Sequence, residues 1–157
     1  MRFAEIARTS SDVAASSSRL AKIERLAACL RGLSAQEAPI AVAYLSGYLP
    51  QGSVGVGWAS MRDLPEPARR ATLELSRVDA SFGKIAAASG PGSQSIRREA
   101  LRSLFGRATE AEQRFLRGLL SGELRQGALE GVMVEAVARA AEVPAPEVRR
   151  AVMLAGD

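Results

Sequence analysis

The sequence contains no histidine and only one cysteine, Cys29. Histidine is the commonest metal ligand and the commonest general base, so its absence excludes most zinc sites and all Ser-His or Cys-His hydrolase chemistry. A single cysteine cannot form an internal disulfide, which favours an intracellular protein. No run of 18 or more apolar residues and no signal-peptide pattern occurs, so we expect a cytoplasmic protein with no membrane partner.

Lysine is scarce as well, although the chain is basic. Lysine and arginine together number 21 against 17 acidic residues, which gives a net charge of +4 and a pI near 10.0, and only Lys22 and Lys84 are lysine. Arginine contacts phosphate through paired hydrogen bonds in a way that lysine cannot. The composition therefore favours an anion-binding protein over a catalyst. The alternative is that the arginines merely solvate alanine-rich helices.

Aromatic residues make up only 4% of the 157 residues, whereas apolar residues make up 47%, which suits a packed domain. The apolar residues recur at helical spacing, so the sequence predicts helices almost throughout. Pro146 and Glu147 are typical of the start of a short last helix. The predicted apolar stripes are Leu20, Ile23, Leu26, Ala27 and Leu30; Ile40, Tyr44, Leu45 and Tyr48; Ile96, Ala100, Leu101, Leu104 and Phe105; Phe115, Leu116, Leu119 and Leu120; and Val132, Met133, Ala136, Val137 and Ala140.

The two halves of the chain are related by an internal repeat with an offset of 75 residues. Ser34-Ala-Gln-Glu37 and Thr109-Glu-Ala-Glu112 each predict a capping box before an apolar stripe. At the same offset, the octapeptides at residues 45–52 and 120–127 are identical at six of eight positions. We therefore predict one all-α domain over residues 1–157, built from two helical repeats related by a pseudo-two-fold axis. Its predicted parts are repeat 1 (about 16–64), a linker (about 65–92), repeat 2 (about 93–142) and a C-terminal helix (about 145–155).

Two predicted helix starts contain cations where acidic residues are usual. Gly90-Pro-Gly-Ser-Gln94 precedes Arg97 and Arg98, and a serine run precedes Arg19 and Lys22. The first turn of a helix exposes unpaired N–H groups and favours negative charge, so both starts are candidate phosphate sites. Incidental arginines after a serine or glycine cap are the alternative explanation.

Two glycine-containing segments follow the octapeptide helices. The first includes Gly52, Ser53, Gly55 and Gly57, and the second begins at Arg125-Gln-Gly127. No strand precedes either segment and no P-loop motif occurs, which excludes the usual dinucleotide and nucleotide loops. Packing at a helix corner and backbone contact with a ligand are the two interpretations that remain.

These segments in combination resemble the N-terminal DNA-binding domain of ATP-dependent DNA ligases, in an alanine- and arginine-rich style that suits an actinobacterial member. The resemblance covers roughly residues 16–142. It implies an all-helical, pseudo-symmetric domain that grips nicked duplex DNA through the minor groove and the sugar–phosphate backbone. The segments that resemble the family are Gly90-Pro-Gly-Ser-Gln94, Glu112-Gln-Arg-Phe-Leu116, residues 120–127, Val132-Met-Val-Glu-Ala-Val-Ala138, Ser17-Ser-Arg-Leu20 with Lys22, and Tyr44-Leu45 leading to Val54-Gly-Val-Gly57.

The resemblance assigns DNA binding to the helix starts and glycine segments. For the Arg97/Arg98 double alanine variant we expect weaker binding to every DNA sequence and little change in stability, on the premise that both side chains are exposed. The predicted DNA-binding residues are Arg19, Lys22, Gly52, Ser53, Gly55, Gly57, Gly90, Gly92, Ser93, Gln94, Arg97, Arg98, Arg125, Gln126 and Gly127.

The catalytic lysine of that family lies in a Lys-x-Asp-Gly motif within a separate nucleotidyltransferase domain. Lys22 is followed by Ile-Glu and Lys84 by Ile-Ala, so neither matches the motif. We therefore expect no catalytic residue, metal site or cofactor in this chain. The resemblance implies that ATP and Mg²⁺ bind elsewhere in the full-length ligase, and that the partners are duplex DNA, nicked in particular, and the nucleotidyltransferase and OB-fold domains. It also implies a role at the nucleoid in repair, replication or recombination.

Two other classes of function remain open at this point. One is a helical enzyme that uses Asp79, Lys84 or Tyr44, although nothing in the sequence brings these residues together. The other is a protein-interaction module that binds no nucleic acid. Salt-dependent binding to duplex DNA would separate the DNA-binding hypothesis from the interaction hypothesis.

Overall fold

The computed structural model describes residues 1–52, 54–56, 61–124 and 130–155. Within these ranges it contains eight α-helices and no β-strand, which confirms the all-α prediction. None of these helices combines the length and the apolar character needed to span a bilayer. The helices are α1 (Phe3–Ala15), α2 (Arg19–Arg31), α3 (Ala38–Leu45), α4 (Leu75–Ala87), α5 (Ser93–Arg107), α6 (Glu110–Ser121), α7 (Glu130–Ala141) and α8 (Ala145–Ala155).

The core lies where α1, α3, α4 and α6 meet. Phe3 of α1 lies edge-on to Tyr44 of α3, with ring centroids 6.5 Å apart, and contacts Phe115 of α6 at 5.6 Å. Tyr44 in turn lies edge-on to Phe82 of α4 at 6.2 Å. Such edge-to-face pairs add to the free energy gained from burying the rings. One aromatic cluster therefore joins four helices that are distant in the sequence.

The remaining helices flank this core. The helix α2 packs against α1, and α5 packs against α4. The helix α7 lies against α2, and α8 lies against α7. The helix α5 therefore extends the core beyond α4, and α8 is the outermost helix of the α2–α7–α8 series.

Both predicted capping boxes are confirmed. Before α6, the Thr109 hydroxyl accepts from the Glu112 backbone N–H at 3.4 Å, and the Thr109 N–H donates to the Glu112 carboxylate at 2.7 Å. Before α3, the Ser34 hydroxyl and N–H make the same two bonds with Glu37, at 3.3 and 3.1 Å. The Thr109 box satisfies two backbone donors at the start of α6, whereas the Ser34–Glu37 box closes the turn that precedes α3, whose N-cap is Glu37.

The first residues of the chain connect three segments. The Phe3 N–H donates to the Leu73 carbonyl at 3.0 Å, and the Leu75 N–H donates to the Met1 carbonyl at 3.1 Å. The Met1 ammonium group also pairs with the Glu37 carboxylate, and this hydrogen bond lowers the pKa of Glu37. These contacts therefore hold together the residues that precede α1, the residues that precede α4 and the turn from Ser34 to Glu37 before α3.

Two helices lie where the sequence analysis placed none. The helix α1 precedes repeat 1, and α4 lies inside the segment assigned to the linker. Leu75, Val78, Phe82 and Ile85 of α4 are all fully buried at helical spacing, so this segment contributes to the core and does more than connect the halves.

Three residues assigned to apolar stripes do not lie in the core. Leu20 is 58% exposed, Ile96 is 54% exposed and Tyr48 is 54% exposed. Leu20 and Ile96 lie in the first turns of α2 and α5, and Tyr48 lies beyond the end of α3. The predicted stripes are therefore correct in their middle turns and wrong at these ends.

The order of the helices repeats along the chain. The helices α1, α2 and α3 begin at residues 3, 19 and 38, and α4, α5 and α6 begin at residues 75, 93 and 110. The first helix of each set contacts the third helix of the other set, as α1 lies against α6 and α4 against α3. Superposition of the two halves about a pseudo-two-fold axis stays a prediction.

Candidate nucleic-acid interface

The two octapeptides end their helices with the same backbone turn. Gly47 follows α3 with a φ of 82°, and Gly122 caps α6 with a φ of 74°. Residues with a side chain rarely adopt this left-handed conformation, so glycine is the residue that both turns require. The local backbone therefore repeats where the sequence repeats.

The described part of the first glycine segment lies against the end of α6. Gly52 and Gly55, together with Tyr48, line a depression of about 280 Å³ whose other wall includes Leu119 and Leu120. Leu120 is the first residue of the second octapeptide. The structure thus brings the first glycine segment to the start of the second octapeptide.

Five predicted contact residues lie outside the described residues: Ser53, Gly57, Arg125, Gln126 and Gly127. Their contact with DNA stays a prediction.

A small polar cluster fixes the start of the first glycine segment to α4. The Tyr44 hydroxyl donates to the Asp79 carboxylate at 3.2 Å, and the Gln51 side-chain amide donates to the same oxygen at 2.8 Å. Burial raises the pKa of Tyr44 well above its ordinary value, so the phenol stays protonated and donates. Gln51, which directly precedes Gly52, was missed by the sequence analysis, and only its place in the repeated octapeptide singles it out.

The same cluster bears on the enzyme alternative. Asp79 and Tyr44 contact each other, as that alternative would need, but Lys84 lies on a different side of α4, in a groove that faces α5. The structure therefore does not bring the three candidate catalytic residues together. Within the described ranges, no group of three or more acidic or cysteine side chains is placed to hold a metal ion.

The start of α5 has the open form expected of an anion site. Its N-cap is Gly92, with a φ of 83° and no side-chain cap, and no acidic residue lies in the first turn. Gly90 has a φ of 78°, and a side chain at Gly90 or Gly92 would meet nothing within 4 Å. Glycine is required here by the backbone conformation. The Ser93 N–H donates to the Gly90 carbonyl at 3.2 Å and the Ser95 N–H to the Gly92 carbonyl at 3.1 Å, which leaves the N–H of the exposed Gln94 approachable.

The start of α2 differs from that of α5. The Ser18 hydroxyl accepts from the Ala21 N–H at 3.2 Å and so caps this helix from within the chain. One backbone donor at α2 is therefore satisfied by a side chain, whereas at α5 the Ser93 and Ser95 N–H groups are satisfied by backbone carbonyls.

Arg97 is occupied by contacts within the chain. Its guanidinium group donates to the Ile85 carbonyl at 3.3 Å and to the Ala88 carbonyl at 2.6 Å, and it lies against Gly55, where an added Cβ would come within 3.1 Å. These carbonyls belong to the C-terminal end of α4, where a cation is favourable. The premise that Arg97 is exposed is wrong, because its side chain is half-buried. Arg98, by contrast, is exposed.

Arg19 is also paired. It donates to the Glu135 carboxylate at 2.9 Å and to the Gly131 carbonyl at 3.4 Å, both on α7. In the part of the chain that the structure describes, the side chains of Lys22 and Arg98 have no ion-pair or hydrogen-bond partner. Of the four cations at the predicted helix starts, two are therefore committed to contacts within the fold, and two have no partner among the described residues.

Comparison with known proteins identifies the family. Residues 58–138 match the family described as DNA ligase N terminus. The whole chain is 54% identical to a "Probable DNA ligase" of Mycolicibacterium gilvum, 53% identical to one of Streptomyces griseus and 55% identical to one of Mycobacterium marinum. It covers 31% of each of these relatives. As its resemblance to actinobacterial ATP-dependent DNA ligases predicted, the chain belongs to the family of DNA ligase N-terminal domains.

Proposed function

We propose that this chain is the DNA-binding domain of an ATP-dependent DNA ligase and that it holds nicked duplex DNA through the minor groove and the backbone phosphates. The observation that carries this proposal is the position of the first glycine segment, with Gly52 and Gly55, against the end of α6. Gly52 ends the first octapeptide and Leu120, at the end of α6, begins the second, so both repeats contribute to one surface.

The chemistry of this surface suits a ligand with a repeating anionic backbone. Gly52 and Gly55 both adopt the left-handed conformation, and nothing lies within 4 Å of the place where a Cβ of Gly52 would stand, so the backbone there can approach a ligand closely. Arg98 and Lys22, whose side chains have no partner in the described ranges, add positive charge near the helix starts. Contacts of this kind recognise phosphate and sugar and do not distinguish bases, so binding is independent of sequence.

The remaining steps of nick sealing belong, in this proposal, to the nucleotidyltransferase and OB-fold domains of the ligase. ATP and Mg²⁺ bind there, and this domain contributes no catalytic residue. The ligase acts in the cytoplasm at the nucleoid, in repair, replication or recombination. The present domain increases the time that the catalytic domains spend at a nick.

A second candidate function is contact with another protein, and α8 favours it. Met153 is 80% exposed and Leu154 is 82% exposed at the end of this helix. Exposed apolar side chains that lie together are typical of protein contact surfaces. Such a contact would be insensitive to salt, which distinguishes it from phosphate binding.

The direct test is a gel-shift comparison of nicked, intact and single-stranded DNA of one length. We expect binding to both duplexes, at least as tight to the nicked one, with a Kd on the order of 10⁻⁴ to 10⁻⁶ M near physiological salt. Absence of duplex binding at low salt would contradict the proposed function.

A further inference from the structure

A groove between α4 and α5 is lined by three exposed cations, two of which lie in the last turns of these helices. Arg77 and Lys84 of α4 and Arg107 of α5 line this groove, which has a volume of about 460 Å³. All three side chains are exposed, and among the described residues none of them has an ion-pair or hydrogen-bond partner. Leu73 and Leu104 also line the groove, and both are buried.

The groove has no acidic residue among its described lining residues, which include the hydroxyl residues Ser76, Ser81 and Ser103. Two neighbouring depressions are different. One places Glu99 beside Arg98 and Arg102, and the other places Glu66 and Glu110 beside arginines. In those two depressions carboxylates offset part of the positive charge, whereas a groove lined by cations alone raises the local concentration of anions.

Two acidic residues lie close to Arg77 in the sequence. Glu74, the N-cap residue of α4, is exposed and does not line the groove. Asp79 of α4 accepts hydrogen bonds from Tyr44 and Gln51, on the side of the helix that faces α3. Arg77 lies in the first turn of α4, which contains no acidic residue. A cation is unfavourable at that position, and a bound anion would add to the compensation that the Glu74 carboxylate supplies at the N-cap.

The cations are spaced along the groove and do not converge on one point, as they would in a pocket for a small anion. Arg77 and Lys84 are seven residues apart on one helix, which places their Cα atoms about 10 Å apart along its axis. Each strand of duplex DNA has one charge per about 3.4 Å of axis, so a strand lying along the groove would place several phosphates within reach of these cations. A small anion would need donors that converge on a single point.

We propose that the α4–α5 groove, defined by Arg77, Lys84 and Arg107, binds backbone phosphates of duplex DNA as a second contact surface beside the glycine segments. This inference rests on the proposed function, because it takes the same duplex as the ligand. These three residues are not among the DNA contacts that the internal repeat or the helix starts predict.

The test compares two triple variants of the whole chain that lose the same charge. R77Q/K84Q/R107Q neutralises the groove, and R8Q/R114Q/R149Q neutralises three exposed arginines that pair with Glu5, Glu110 and Glu135. The dependence of log K on log salt is measured by fluorescence anisotropy with a labelled intact duplex. A charge-preserving variant, R77K/K84R/R107K, and thermal unfolding of each protein control for folding.

We expect the groove variant to bind more weakly and its salt slope to become shallower by up to about 2.7, from about 0.9 for each lost contact. The paired-arginine variant and the charge-preserving variant should keep the slope of the parent chain. A groove variant with the parent slope would overturn the groove proposal and leave the proposed function intact. A parent chain that binds no duplex would overturn the proposed function itself.

A competition experiment distinguishes a groove that binds DNA phosphates from one that binds free inorganic phosphate. Inorganic phosphate is added at constant ionic strength, with chloride as the reference anion. We expect both anions to displace the duplex equally from the parent chain. Displacement by inorganic phosphate alone, lost in the groove variant, would instead assign the groove to free phosphate and overturn the proposal.

Discussion

Two helix pairs of this domain use arginine in opposite ways. Between α2 and α7, Arg19 pairs with Glu135 at 2.9 Å, and Arg139 pairs with Glu24. Arg31 of α2 adds a hydrogen bond to the Arg139 carbonyl at 3.2 Å. Here the cations of one helix meet the carboxylates or carbonyls of the other, and they hold the two helices together.

Between α4 and α5, no acidic residue is among the described residues that line the groove with the cations. Arg77, Lys84 and Arg107 face one groove, and none of them is paired within the described residues. The comparison teaches that a basic composition does not identify a binding surface. What matters is whether the neighbouring helix supplies an acceptor, and this depends on the tertiary structure.

The largest expected effect is the difference in stability between substitutions on the two faces of α4. Phe82 is fully buried and contacts Tyr44, so Phe82→Ala should lower the free energy of unfolding by about 3–5 kcal/mol. Lys84→Ala, two residues further on, should change it by no more than about 0.5 kcal/mol, because this side chain is exposed and unpaired. Urea denaturation measures both, and equal losses would show that α4 does not have these two faces.

The next effect compares two adjacent arginines of α5. Arg97→Ala removes hydrogen bonds to two carbonyls and should cost about 1–3 kcal/mol of stability. Arg98→Ala should leave stability within about 0.5 kcal/mol of the parent but make the salt slope of DNA binding shallower by about one. Denaturation and anisotropy on the same two proteins check this, and the reverse pattern would show that Arg97 is the phosphate ligand.

A smaller effect tests the α2–α7 pair. Glu135→Gln removes the negative charge shared by Arg19 and Arg149 and should destabilise the domain by about 0.5–1 kcal/mol at low salt. The loss should shrink at high salt, because exposed pairs are screened. Glu110→Gln, which affects only a pair within α6, is the matched control and should cost less. A loss that does not vary with salt would mean that packing, and not charge, joins α2 and α7.

The smallest effect concerns the pair between the Met1 ammonium and Glu37. Because the hydrogen bond from the ammonium lowers the pKa of Glu37 in the folded state, the carboxylate stabilises the fold above its unfolded pKa of about 4.3. This stabilisation is lost as the pH falls through the lowered folded-state pKa. The Tm of Glu37→Gln should therefore be slightly below that of the parent at pH 7 and converge with it in acid. A Tm difference that stays constant with pH would contradict the pairing.

Local features of the fold could be predicted from the sequence because they depend on neighbouring residues. The capping boxes at Ser34 and Thr109 need only a hydroxyl residue and a glutamate three positions later. Burial of Cys29 follows from its place between apolar neighbours, and it is 2% exposed. The last helix was predicted from Pro146, and α8 begins one residue before it.

Long-range features could not be predicted in the same way. The role of Arg97 depends on carbonyls at residues 85 and 88, which it reaches across the turn between α4 and α5. The helix α1 was missed because its apolar stripe is interrupted by Thr9, which is buried although it is polar. The stripe of α4 was present in the sequence but lay in a segment between two recognised repeats. The groove depends on which cations lack a partner, and no sequence pattern records that.

The most direct test of the central claim is the salt dependence of duplex binding by the parent chain. With about four to six phosphates neutralised, log K against log salt should have a slope near −4 to −5, from about −0.9 for each contact. A slope in this range on DNA of unrelated sequences would support a domain that holds duplex DNA by its backbone. An affinity that does not change with salt would contradict the account, because apolar surface and not phosphate would then drive association.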